Sequence, residues 1–329
     1  MSRRALYTLP WLVAAAILAA LVARLPRAQL LHAFAAGPSL PVALWSAAVV
    51  GVALLADSWA TLSAFAASGV RCPWRGVLAA RGASYLLGLL NFAAGQGGMG
   101  FYLHRAGVAP LRAVGTMLFL TAAQVGALAL LAAAGMAGAL AAGGGGAAAG
   151  AGSGGAGAAL LHPLPLLAAL AAGFALYLAA LAWRPAWLTR HAVLAPVIAA
   201  GVRGFLRATA ARLPHALVMI FGLWLGLRLW GIALPLARGL VVLSAATLVM
   251  ALPIAPGGLG TLELALVELA SPYAPGADAA ARRAAVLAFA VVYHLASIAA
   301  QALLGFGCLA LITRRARAAR AAPPSPSPG

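Results

Sequence analysis

The sequence predicts an all-α integral membrane protein: eight hydrophobic segments, read as six transmembrane helices plus two re-entrant helical hairpins in inverted repeats. Three observations predict it. The 329 residues are 64% hydrophobic and only 8% charged, more apolar surface than a water-soluble core absorbs. Apolar stretches recur near residues 5–23, 40–67, 77–94, 113–142, 160–183, 214–233, 239–270 and 284–312, each within or above the range of roughly 17–25 residues that cross hydrocarbon as a helix. All 22 basic residues are arginine, against four acids, Asp57, Glu263, Glu268 and Asp278. In such a chain arginine marks cytoplasmic loops and contacts with anionic headgroups. Nucleic acid is the weaker partner, because no basic surface is interleaved with aromatics outside the apolar segments.

Taken in order, the first stretch follows Arg3 and Arg4. A secretory signal has that shape, but the rest of the chain is equally apolar and a first crossing helix accounts for the same residues. The second stretch carries Asp57 and the third carries Arg81 one turn in, so the two are candidates for an intramembrane ion pair across neighbouring helices. The fourth completes a first membrane repeat, residues 1–142. "GGGGAAAGAGSGGAGAA", residues 143–159, is uncharged and of low complexity, the composition of a flexible linker. A second repeat, 160–313, holds the remaining stretches, and a basic, Pro/Ser-rich tail, 314–329, has the composition of disorder. Between the fifth and sixth stretches Arg203 and Arg207 share a helical face, with Trp183 and Trp187 at the membrane edge. They read as topology-setting charge or as an interfacial helix that recruits headgroups. Tyr293, His294 and Gln301 ride on the last helix, where a lone histidine reads as a hydrogen-bonded bundle residue.

Charge selects the topology. If all eight stretches cross and the N-terminus is inside, the arginines divide evenly and the Arg184–Arg212 loop falls on the outer face, against the positive-inside rule. If the third and seventh stretches turn back at their glycines, sixteen arginines are cytoplasmic (Arg3, Arg4, Arg71, Arg75, Arg81, Arg105, Arg112, Arg184, Arg190, Arg203, Arg207, Arg212, Arg314, Arg315, Arg317 and Arg320) and six are outside. Both termini are then cytoplasmic, in a bacterial inner membrane. The two expected breaks, "GQGGMG" (Gly95–Gly100) and "APGGLG" (Ala255–Gly260), lie 160 residues apart. Broken segments in inverted repeats meeting near the midplane are a transporter design.

"GQGGMG" also fits the dinucleotide pattern G-x-G-x-x-G, but that site needs a preceding strand and an acid about 20 residues on. No acid occurs between Asp57 and Glu263. The absence of lysine excludes a P-loop, Cys72 and Cys308 have no metal or disulfide spacing, and no nucleophile stands with a base. The expectation is no catalytic residue, no metal and no cofactor.

In "LPIAPGGLGTLELALVELA" (Leu252–Ala270) Pro253 and Pro256 remove two backbone donors and the glycines permit a tight reversal. A helix restarts near Thr261. Such backbone at membrane depth lines a cavity or is buried in protein, and the restarted helix offers free N–H groups to an anion. Glu263 sits in its first turn. A charge there costs about 2.5–3.5 kcal/mol on insertion scales, so Glu263 either serves a substrate or caps the helix and pairs structurally; Glu268, further out, reads as structural. The candidate substrate site is Glu263, Thr261, Gly257, Gly258, Gly260 and Pro256, with Asn91, Gly97, Gly98, Gly100 and Arg105 from the first break. Asn91 is expected to bond freed carbonyls there. Arg105 is expected to meet a lipid phosphate or Glu263, or to serve as a plain anchor.

"PGGLGTLE" (Pro256–Glu263), flanked by apolar helices, resembles the signature of the lysylphosphatidylglycerol synthase transmembrane-region family. "LNFAAGQGGMGFYLHRAGV" resembles that family's earlier Asn-x-x-x-x-Gly region, with Gln96 where a proline is expected. The resemblance covers residues 5 to 312. It implies a stand-alone lipid-flipping module without the cytosolic aminoacyl-transferase domain. The function so implied is binding and translocation of an anionic phospholipid or a polyprenyl-linked, glycosylated lipid. Two alternatives remain: an intramembrane lipid-modifying transferase using Glu263 or Asp57 as base, and a scaffold for a separate lipid synthase or glycosyltransferase.

Overall fold

A computed structural model describes residues 3–67, 69–141, 163–184, 186, 190–250 and 255–321. The 143–159 linker, Trp187, Pro253 and the Pro/Ser end of the tail lie outside the described residues. Among the described residues all regular structure is helical: α1 (Arg3–Ala23), α2 (Arg27–Ala36), α3 (Ser39–Ala67), α4 (Trp74–Gly88), α5 (Phe92–Arg105), α6 (Pro110–Ala141), α7 (Pro163–Trp183), α8 (Ala195–Leu229), α9 (Leu236–Met250), α10 (Thr261–Ala270) and α11 (Ala279–Ala321).

Four helical stretches are long and apolar enough to cross a membrane: Ser39–Ala67, Pro110–Ala139, Ala192–Leu229 and Ala279–Arg315. A fifth arises if Trp11–Ala23 and Arg27–Ala36, bent by 100°, form one broken span. Arg27–Ala36 lies in none of the eight apolar stretches. The outer surface suits hydrocarbon: Leu176, Leu303 and Phe306 stand 72%, 75% and 63% exposed, a waste of apolar surface in water.

The third and seventh apolar stretches each divide into two short helices. α4 and α5 have 15 and 14 residues, α9 and α10 have 15 and 10. At 1.5 Å per residue none exceeds about 22 Å, against about 30 Å of hydrocarbon. Each pair folds back on itself. A Cβ on Gly76, at the start of α4, would lie 2.4 Å from the Tyr102 hydroxyl at the end of α5. The Ala233 N–H, just before α9, donates to the carbonyl of Tyr273, just after α10, at 3.0 Å. Arg238 Nη1 donates to the Tyr273 hydroxyl at 2.7 Å, closing the same base.

Contacts sort the connections onto two ends of the bundle. At one end a Cβ on Gly69 would meet Arg112 Nη2, one on Gly115 would meet the Val193 carbonyl, and one on Gly201 would meet Arg184 Nη2. At the other, Gln29 Nε2 donates to Asp278 Oδ2 and Gly37 and Gly231 face Trp230 and Pro275. Arg71, Arg75, Arg105, Arg112, Arg184, Arg190, Arg203 and Arg207 belong to the first set of segments; Arg24, Arg27, Arg228, Arg238, Arg282 and Arg283 belong to the second. Arg212 departs from the expectation of a cytoplasmic loop residue. α8 begins at Ala195, bends at Gly201 (φ 58°, ψ −169°) and runs on, so Arg212 lies inside a 35-residue helix.

Two apolar clusters fill the bundle. One gathers Val42, Leu131, Ile220, Leu243, Leu266 and Phe289; the other gathers Phe65, Val77, Leu103, Phe119, Val197 and Phe205. Along α3 and α8 the polar residues described below fall between them.

Candidate functional site

The second break forms around Pro256 and its glycines. Among the described residues α9 runs to Met250 and α10 starts at Thr261, with a 3-10 turn, Pro256–Gly258, between. Gly260 adopts φ 84°, a left-handed geometry that disfavours any side chain. A Cβ there would also come within 3.1 Å of Ile17 Cβ, so α1 presses directly on the break.

Glu263 turns back onto this reversal. Its Oε2 accepts the Gly260 N–H at 2.6 Å, as an N3 glutamate does in a capping box, and Thr261 Oγ1 donates to the Gly258 carbonyl at 2.7 Å. Its Oε1 stands 2.7 Å from Nδ1 of His294 on α11, whose Nε2 stands 3.1 Å from the Gly257 carbonyl. A carbonyl only accepts, so Nε2 carries a hydrogen, and a second proton must lie between Nδ1 and the carboxylate. Wherever that proton sits, the pair has zero net charge. Neutrality explains how a glutamate only 1% exposed and a histidine 5% exposed coexist in an apolar bundle. The helix N-terminus that the sequence reading reserved for an external anion is therefore held by the chain's own carboxylate.

The first break differs from expectation. Gly95, Gly97, Gly98 and Gly100 lie inside α5; the chain breaks earlier, at Leu89–Asn91. Glycine permits a reversal but does not force one, and this segment lacks the prolines of its counterpart. Two of its glycines serve close packing of the hairpin: a Cβ on Gly95 would sit 3.1 Å from Gly88 Cα, and one on Gly98 would sit 2.8 Å from Leu87 Cδ1. Small residues let membrane helices approach in this way. Among the described residues Asn91 bonds no freed carbonyl; its Oδ1 accepts the Ala94 N–H at 2.7 Å and caps α5. Arg105 is exposed at the far end of α5, about 20 Å along the helix from the break, so it meets neither Glu263 nor the tip.

The two tips adjoin. A Cβ on Gly257 would lie 3.6 Å from the Leu89 carbonyl oxygen. Of the residues singled out in the sequence, Pro256, Gly257, Gly258, Gly260, Thr261 and Glu263 come together, with Leu89 and the capping Asn91 arriving from the first half. His294 completes this cluster, and no spacing announced it, since it stands 31 residues from Glu263 on another helix.

A second polar cluster sits among α3, α4 and α8. Arg81 Nε donates to Asp57 Oδ2, and Arg212 Nη1 donates to Asp57 Oδ1. Arg212 Nη2 donates to Thr61 Oγ1 at 3.3 Å, and Arg81 Nη1 reaches Gln96 Oε1 at 3.5 Å. Asp57, Arg81 and Arg212 are 1%, 8% and 2% exposed. One carboxylate thus holds two guanidiniums and ties three helices together. Arg212 was the partner that sequence reasoning missed.

No protein-family model matches this chain, and no curated protein matches it.

Proposed function

We propose that this is a polytopic protein of the bacterial cytoplasmic membrane, both termini inside, that binds and translocates an anionic phospholipid or lipid-linked glycan between leaflets. The observation that carries the reading is the meeting of the two hairpin tips beside the buried Glu263–His294 pair. Two short hairpins, each returning to the end it left, meet tip to tip inside the bundle, as broken segments of inverted-repeat transporters do. The arginine-rich segments gather at one end, which the positive-inside rule puts in the cytoplasm. The resemblance to the lysylphosphatidylglycerol synthase transmembrane-region family supports the same reading.

In this scheme the substrate phosphate replaces one anion by another. It takes the Gly260 N–H from Glu263, and the displaced carboxyl keeps its proton-sharing contact with His294. The N-terminus of α10 is then never left bare in an apolar setting. The substrate itself is a membrane lipid; no cofactor, metal or nucleic acid enters the scheme.

The test is reconstitution into liposomes carrying a fluorescent phosphatidylglycerol, with an impermeant quencher reporting the leaflet. The protein should move label between leaflets without altering its mass, and Glu263→Gln, which keeps an acceptor for Gly260 but gives up the carboxylate, should abolish the movement. The carboxylate–imidazole pair also has the makings of a general base, which favours a transferase as second reading; a change in lipid mass would establish it. Unimpaired transport by Glu263→Gln, with a copurifying synthase or glycosyltransferase, would favour the scaffold.

A further inference from the structure

All four carboxylate side chains of the chain are engaged away from the kink of α8. Asp57 holds Arg81 and Arg212, and Glu263 holds Gly260 and His294. Glu268 lies 3.7 Å from Arg283, and Asp278 accepts from Ala281 and Gln29. Arg203 and Arg207 are exposed on α8 and form no ion pair with any of them. They stand four residues apart, about 6 Å along the axis, on one face. Between them and the end of α3 opens a cleft of about 550 Å³ lined by both arginines, Gly204, Ser63, Ala66 and Ala67.

We infer that this cleft between α3 and α8 is a binding site for the phosphate headgroup of an anionic phospholipid in the adjoining leaflet. The chemistry follows from the lining. Two guanidiniums on one face present forks of donors that match phosphate oxygens, and the chain holds no acid to neutralise them. The alanine wall gives the glycerol and first methylenes an apolar surface, and Leu206, between the two arginines in sequence and 48% exposed, adds to it. Arg212, with its surplus of positive charge around Asp57, lies five residues deeper on α8, about 8 Å away, and biases the same seam toward anions. The inference asks for binding alone, and it stands whether or not Glu263 supports translocation.

Native mass spectrometry of the full chain tests it, after exchange into vesicles of mixed phosphatidylglycerol and phosphatidylcholine and gentle extraction. The protein should retain phosphatidylglycerol in preference to phosphatidylcholine. Arg203→Gln/Arg207→Gln should lower that preference about thirtyfold. Ala66→Trp, which fills the cleft and keeps both charges, should lower it as well, while Arg314→Gln/Arg315→Gln, which removes equal charge from the tail, should leave it intact. Fluorescence-detected size exclusion verifies that each variant is folded. Equal losses in the tail variant would make the effect one of bulk charge and overturn the site. Retention by the Arg203/Arg207 variant would overturn it outright, and displacement of the lipid by excess inorganic phosphate would reassign the site to a soluble anion. Loss of translocation in Glu263→Gln with unchanged lipid retention separates the two sites.

Discussion

Replacing Asp57 by asparagine should be the most damaging single polar substitution in the bundle, and far worse than removing one of its partners. Asp57 is 1% exposed and is the shared acceptor of Arg81 and Arg212, themselves 8% and 2% exposed. Asp57→Asn leaves two guanidiniums face to face among α3, α4 and α8 with no counter-charge. Stranding a buried charge costs about 3–5 kcal/mol, a fall of about two to four orders of magnitude in the folded-to-unfolded ratio. Arg212→Met removes a charge together with its hydrogen bonds and leaves Asp57 and Arg81 as a neutral pair. Its cost should be about 1 kcal/mol, much of its stem volume being kept. The double variant Asp57→Asn/Arg212→Met leaves one stranded cation instead of two and should fall between. Unfolding in mild detergent, followed through the eight tryptophans, orders the three. If Asp57→Asn and Arg212→Met prove equally costly, water or lipid neutralises the cluster and the charge argument fails.

Two further outcomes follow from the same geometry. Gly260→Ala forces a side chain into φ 84° within 3.1 Å of Ile17 Cβ and should destabilise by about 1–2 kcal/mol from the left-handed backbone alone. Gly97→Ala, helical and facing open space, should stabilise by up to about 1 kcal/mol; the reverse order would remove the distinction between the two glycine motifs. In a Cys72→Ser/Cys308→Ser background, an impermeant maleimide should label a cysteine at Arg190 from the same side as one at Arg317. A cysteine at Arg282 should be labelled from the opposite side, and any other pattern breaks the hairpin topology.

What the sequence made legible was local. The restart at Thr261 could be read because Pro256 lacks a donor and the glycines tolerate a reversal that no other residue does. The all-helical class followed from apolar stretches too long and too numerous for a soluble core. The first break was misplaced by treating its glycines as equivalent to those of the second. A glycine run without proline is also what two closely packed helices require, and Gly95 and Gly98 are used that way. Asn91 was the better signal, as an N-cap residue between two apolar runs, and it marks the true boundary. Arg212 escaped because hydropathy windows close where arginines dilute the apolar signal, so a helix starting at Ala195 looked like a loop ending near Arg212. The partnership of Glu263 with His294 had no sequence signature at all: α10 and α11 are brought together by packing, and neither periodicity nor spacing encodes that contact.

The distribution of acids explains more of this architecture than the count of arginines does. A chain with 22 arginines and four acids cannot neutralise itself, and each of the two carboxylates buried in the bundle is engaged by partners within it. Asp57 stands where α3, α4 and α8 bury two guanidiniums. Glu263 stands where a broken helix buries its first N–H, and the proton it shares with His294 leaves the pair without net charge. Both buried acids are thus committed to joints in the fold, one between long helices and the other at a reversal. Arg203 and Arg207 form no ion pair with any of the four acids and stand exposed on α8. If the cleft between α3 and α8 holds an anionic headgroup as inferred above, lowering the anionic lipid content of the membrane should loosen the Arg203–Arg207 end of α8 before it disturbs the joint at Asp57.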